Sequence, residues 1–193
     1  RQYEDGEWLA ADSSHLQFAL SDRVLNVVNA YLGLCAKLNY CNLWYTIPQA
    51  ADRAPVASQR WHRDPEDAQL VKVFLYFSDV TAESGPLEYI PESRPGGKHA
   101  HLWRFASGAG VGGYPSQERI EAAVSASDRL KATGPRGTMV FCDTSGLHRG
   151  GKLATGERIL GNFAYLTPAS LYPRKFACDS SAAQSTTAAY ALS

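Results

Sequence analysis

Gln59-Arg60-Trp61-His62-Arg63-Asp64 places one imidazole and one carboxylate two residues apart. On an extended strand, residues i and i+2 point to the same face. His62 and Asp64 can therefore reach one metal ion together, and they need a third ligand from elsewhere. His148, in Ser145-Gly146-Leu147-His148-Arg149-Gly150, is the best candidate, 86 positions further along. A jelly roll pairs strands that are distant in sequence, and such a fold would let these two histidines meet. Two His and one carboxylate are the facial arrangement that holds non-haem Fe(II) and leaves positions open. His-x-Asp alone is a weak signal: with 5 His in the chain, about 0.26 pairs at this spacing arise by chance. The plainer alternative is a solvated strand end or a local hydrogen bond.

The 193 residues fit one domain. We expect a core over about 42–166, helical support over about 1–40, and a polar tail from about 179 that is poorly ordered or lies along the surface. Acidic and basic residues balance at 19 each, which argues against a nucleic-acid or anionic-membrane surface. There is no apolar run of membrane-span length and no visible signal peptide. The chain begins at Arg1 without Met, so a missing N-terminal piece is an expectation. Cys35, Cys41, Cys142 and Cys178 match no zinc spacing. They read as reduced thiols of a cytoplasmic protein, with a Cys35–Cys41 disulfide as the open alternative.

The apolar spacing of Val24, Leu25, Val27, Val28, Tyr31, Leu32 and Leu34 predicts a helix over about 22–32, capped by Ser21 or Asp22 and ending near Gly33. Strands are predicted over 42–47, 71–78, 86–91, 138–143 and 158–166, and an amphipathic helix over 116–126. The strand 71–78 is apolar on both faces and so central. Lys72 breaks it, either as a strand-end lysine reaching solvent or as a cation inside a barrel facing an anionic ligand. Segment 102–116, with Trp103, Phe105 and Tyr114, reads as an irregular insertion that shapes a pocket or packs on the surface. His99 and His101 have metal-like spacing but lack a comparable third ligand. Short strands with Gly/Pro turns and few helices predict a mainly β chain.

Arg158 lies ten residues after His148 and would open the neighbouring strand, where a guanidinium can pair bidentately with a carboxylate held next to the metal. A surface arginine is the alternative.

With that residue the chain resembles the phytanoyl-CoA dioxygenase family of Fe(II)/2-oxoglutarate oxygenases. The matching pieces are Trp61-His62-Arg63-Asp64, the strand from Lys72 to Ser78-Asp79-Val80, Glu83-Ser84-Gly85-Pro86-Leu87-Glu88-Tyr89-Ile90-Pro91, and Leu147-His148-Arg149-Gly150 with Arg158 after it. The resemblance covers about 42–166. It implies a double-stranded β-helix (jelly-roll) barrel with a few flanking helices. It also implies Fe(II), 2-oxoglutarate and O2 as the reacting partners, with His62, Asp64 and His148 as metal ligands and Arg158 on the distal carboxylate of 2-oxoglutarate. Some relatives place a serine near the cosubstrate where this chain has Gly150. Lys72, Tyr45 and Thr144 stand as candidates for the remaining cosubstrate contacts.

The implied reaction hydroxylates a small molecule and releases succinate and CO2. Desaturation or cyclisation within the family, and a jelly-roll binding or sensory module without turnover, are the alternatives. Related halogenases carry a small residue in place of the carboxylate; Asp64 argues for oxygen insertion, provided it points inward and does not pair with Arg60 or Arg63. The residues do not indicate which small molecule reacts or the oligomeric state.

Overall fold

A computed structural model describes residues 7–50, 52–104 and 114–193. Most of the 102–116 insertion, Phe105 included, lies outside the described residues, as does the start of the chain.

Strand β1 (Glu7–Leu9) leads into α1 (Ser14–Ala19) and α2 (Asp22–Leu32). In α2, Val24, Leu25, Val28 and Leu32 form the buried stripe, while Val27, Tyr31 and Leu34 of the predicted apolar set are exposed. Asp22 sits in its first turn, where negative charge is favourable. Gly33 ends it at φ 70°, and the Gly33 N–H donates to Asn29 O. Ser21 occupies the N-cap position without capping: its hydroxyl donates to Phe18 O, 2.7 Å away.

Five further strands and one helix follow. They are β2 (Lys37–Thr46), β3 (Leu70–Tyr76), β4 (Leu87–Tyr89), α3 (Gln117–Ala123), β5 (Leu130–Ala132) and β6 (Met139–Cys142). Then come β7 (His148–Gly150), β8 (Arg158–Leu166), β9 (Phe176–Cys178) and α4 (Thr186–Leu192). A four-stranded antiparallel sheet runs β2-β8-β3-β6, and a three-stranded one runs β5-β4-β7. The chain is mainly β with few helices. As expected, β3 is central, between β8 and β6.

The larger sheet has two different faces. Leu38, Cys41, Val71, Val73, Phe163 and Tyr165 pack against α1, α2 and α4. Tyr40, Trp44, Thr46, Lys72, Phe74, Tyr76, Arg158, Leu160 and Asn162 line a cavity on the other side. Strand alternation assigns most of this. The exception is Leu38 and Cys41, which share a face although three positions apart. A register shift between Leu38 and Tyr40 explains it, because one extra residue reverses the parity of the rest of the strand. A second core of Trp61, Ile90, Leu102, Ile120, Val124 and Leu147 fixes the smaller sheet and α3 together.

Gly85 lets the β3–β4 connection pass close to the β7–β8 connection. Its φ is 67°, and a Cβ there would run into the Gly151 carbonyl.

The tail corrects the expectation of a poorly ordered or surface-lying segment. β9 pairs in parallel with β1. Ala182, Ala188 and Ala191 join the helix-side core. Small side chains let α4 lie close to the sheet, so an Ala- and Ser-rich composition here serves packing. All four cysteines are free, and the Cys35–Cys41 disulfide is not formed. No helix among the described residues is long and apolar enough to cross a membrane.

Candidate metal and cosubstrate centre

The two histidines meet through the backbone. His62 N–H donates to His148 O and His148 N–H donates to His62 O, both at 3.0 Å. This reciprocal pair joins β7 to the stretch before β3. Asp64 N–H donates to Thr144 O at 2.9 Å and extends the alignment by two residues. Alternation then sends His62 and Asp64 into the cavity and Arg63 away from it. The Arg63 guanidinium confirms the direction: it donates to Ser145 O at 2.6 Å, Trp103 O at 2.9 Å and Ala100 O at 3.3 Å. Arg60 lies over the Tyr114 ring. Neither arginine pairs with Asp64. Trp61 is fully buried beneath, and its backbone N–H donates to Gln117 Oε1 at 2.6 Å.

The imidazoles are oriented alike. His62 Nδ1 lies 2.7 Å from Arg60 O and His148 Nδ1 lies 2.9 Å from Gly146 O. A carbonyl only accepts, so each Nδ1 carries a proton and Nε2 is the nitrogen left to ligate a metal. Asp64 Oδ1 is 3.8 Å from His62 Nε2, and Oδ2 is 3.4 Å from His148 Nε2. One ligand atom from each of the three residues lies within 4.8 Å of the others. Ligands about 2.0–2.2 Å from one divalent ion at right angles sit roughly 3 Å apart, so small adjustments close the set. Burial first, then the neighbouring His148, push the His62 pKa down to about 4, which keeps the ring neutral. Burial alone would raise Asp64; the Lys72 ammonium, foremost among its neighbours, outweighs it and holds the carboxyl well below its usual range. The donor set fits Fe(II): two imidazoles and one ionised carboxylate.

Lys72 is buried and lines the cavity. This corrects the solvent-reaching alternative. Its ammonium is 2.6 Å from Asp64 Oδ2 and 3.6 Å from Glu66 Oε1, so two carboxylates already hold it. Arg158 opens β8, which lies in the four-stranded sheet and not beside β7 as expected, yet it lines the same cavity of about 240 Å³. Its Nε is buried with no hydrogen-bond partner among the described residues. Burial lowers its pKa, with Tyr76 opposing. A buried, unspent guanidinium fits a carboxylate of 2-oxoglutarate.

Two cosubstrate candidates lie elsewhere. Tyr45 is on the opposite face of β2, exposed, and donates to Glu157 Oε2 at 2.9 Å. Thr144 is buried and outside the cavity lining; its carbonyl aligns Asp64. His99 and His101 pair with each other on the surface, away from the cavity. Sequence reasoning missed Trp44, Tyr76 and Asn162, which line the cavity, and Glu66, which holds Lys72. Reading Arg158 as inward gives Leu160 and Asn162 by alternation; that signal was present.

The family model described as phytanoyl-CoA dioxygenase matches residues 3–159. The chain belongs to the phytanoyl-CoA dioxygenase family. A similar curated protein is L-proline trans-4-hydroxylase from Streptomyces griseoviridis, 30% identical over 122 residues, covering 53% of this chain and 45% of that one. The chain thus spans about half the length of the curated relative it matches. Among solved structures, the epimerase SnoN in complex with Fe3+, alpha ketoglutarate and nogalamycin RO superposes with a TM-score of 0.59 at 15% identity. That match covers 81% of this chain and 60% of SnoN. EctD from S. alaskensis with 2-oxoglutarate and 5-hydroxyectoine gives 0.58 at 18% identity, over 83% of this chain and 55% of EctD. These similarities establish a shared fold.

Proposed function

We propose that this protein is an Fe(II)- and 2-oxoglutarate-dependent oxygenase that hydroxylates a small molecule. One observation carries the reading: the His62, Asp64 and His148 set shares a cavity with the buried, unpaired Arg158. The four- and three-stranded sheets are then the two walls of a double-stranded β-helix, and the whole chain is one oxygenase domain. When bound, iron with 2-oxoglutarate and O2 supplies the oxidant that hydroxylates a C–H bond, with succinate and CO2 as coproducts.

The side chains divide the work. His62 and His148 offer Nε2, each ring held at Nδ1 by a backbone carbonyl. Asp64 gives the third ligand, and Lys72 holds its Oδ2 in place. Arg158 anchors the distal carboxylate of 2-oxoglutarate and so fixes which end faces the metal ligands. Phe74, Leu87 and Leu160 line the cavity with apolar surface that limits water. The proline hydroxylase relative supports hydroxylation of a small molecule as the outcome.

The test is anaerobic titration of the protein with Fe(II) and 2-oxoglutarate, read by the visible charge-transfer band of the complex. A substrate screen in air, scored by succinate, completes it. A chain that forms the band and couples succinate to a product gaining oxygen agrees with the reading. Absence of any 2-oxoglutarate binding to the iron-loaded protein rejects it. Binding without turnover across the screen favours the binding module.

A further inference from the structure

We infer that the Trp44 indole completes the socket for the distal carboxylate beside Arg158, and that this socket selects a dicarboxylic 2-oxo acid. The inference rests on the oxygenase reading above and adds a residue that the family resemblance did not point to.

Trp44 and Arg158 lie on neighbouring strands. Thr46 pairs with Arg158 and Trp44 with Leu160, so Trp44 is the diagonal neighbour of Arg158 on the cavity-lining face. Diagonal neighbours are within reach when one is aromatic and the other long. Trp44 Nε1 and Arg158 Nε are both buried without an acceptor among the described residues. Each is a donor only, and a buried donor is expensive to leave unpaired.

The neighbouring groups do not supply the acceptor: even Asn162 Oδ1, the other diagonal neighbour of Trp44 on this face, is buried without a donor among the described residues and so meets neither group. Tyr76 gives its hydroxyl proton to Ala132 O at 2.6 Å, and its oxygen bonds to neither donor. Gly150 has no side chain, and a Cβ there would be 3.8 Å from Arg158 Nη2. Asp64 is held by Lys72, and Glu157 accepts from Tyr45 on the other face of β2. Two orphaned donors at one corner call for a ligand with several lone pairs in one plane. A carboxylate has them: it can accept the guanidinium on one edge and the indole N–H beside it. A 2-oxo acid ending in a methyl group would leave both donors unpaired.

The experiment uses the full chain loaded with Mn(II), without oxygen, and measures binding calorimetrically. The two probes are 2-oxoglutarate and 2-oxovalerate, which has the same carbon chain but a distal methyl. Trp44→Phe keeps a ring and removes the N–H. Its Kd for 2-oxoglutarate should rise about tenfold, the size of one hydrogen bond to a charged group. Its Kd for 2-oxovalerate and for Mn(II) should stay at the wild-type values. Trp44→His, which restores a ring N–H, should recover part of the preference. An unchanged 2-oxoglutarate affinity in Trp44→Phe overturns the inference. Equal weakening for both probes also overturns it, because the indole then acts by packing. If wild-type protein itself does not prefer 2-oxoglutarate over 2-oxovalerate, the cosubstrate reading fails first and this one with it.

Discussion

Asp64 is ionised in a place where burial opposes ionisation. The Lys72 ammonium at 2.6 Å makes that tolerable, and the same contact fixes the carboxylate in one orientation. Each histidine is equally constrained, by a backbone bond on one side and a carbonyl at Nδ1 on the other. Loss of a ligand therefore cannot be made good by a neighbour. His62→Ala and His148→Ala should each lower Mn(II) or Fe(II) affinity by more than about tenfold, because even groups that only orient a ligand are worth that much. Iron content after desalting measures it, and full occupancy in both variants would contradict the assignment. Arg158→Ala removes a charge-assisted partner worth about 1.5–3 kcal/mol, or roughly 10–150-fold in 2-oxoglutarate affinity at constant metal occupancy. A titration matching wild type would exclude the anchoring role. At this scale the sequence was most readable: His62, Asp64, His148 and Arg158 all line one cavity. Tyr45 was misjudged for a simple reason. Side chains alternate with period two, so without the pairing of Thr46 to Arg158 a one-residue choice along β2 decides between cavity and solvent.

Among the elements, α2, β3 and β8 were legible because their apolar patterns are long enough to show a period. β1, β9 and α4 were not. The two strands are three residues each, too short to display alternation, and α4 is built mainly from Ala, Thr and Tyr with no broad apolar stripe. Its docking rests on small side chains, and composition alone reads such a segment as polar tail. Ala188 is the contact to test, since it is 1% exposed in the helix-side core. Ala188→Asp would bury a carboxylate without a partner and should destabilise the fold by at least about 2 kcal/mol. Ala189→Asp, one position on and exposed, should stay within about 0.5 kcal/mol. Urea midpoints at constant slope compare the two. Equal, small effects would mean that α4 does not dock as described.

For the molecule as a whole, the reciprocal His62–His148 backbone pair has a kinetic meaning. The pair closes a loop of 86 positions, and every strand from β3 to β6 lies inside that loop. Loop closure over such a span is a late reward for the chain, since local structure must form first. The ligand set is therefore assembled by topology, and a half-folded chain offers the metal only isolated histidines and carboxylates. If so, the ion stabilises the native state and leaves the folding transition state nearly untouched. Metal added to the protein should slow unfolding in proportion to its affinity while the refolding rate stays constant. Stopped-flow refolding and unfolding with and without Mn(II) separate the two, and a refolding rate that climbs with metal would show the site forming early. On the proposed reading the ion enters only once the segment from His62 to His148 has closed, and the metal-free chain is a folded protein that unfolds faster.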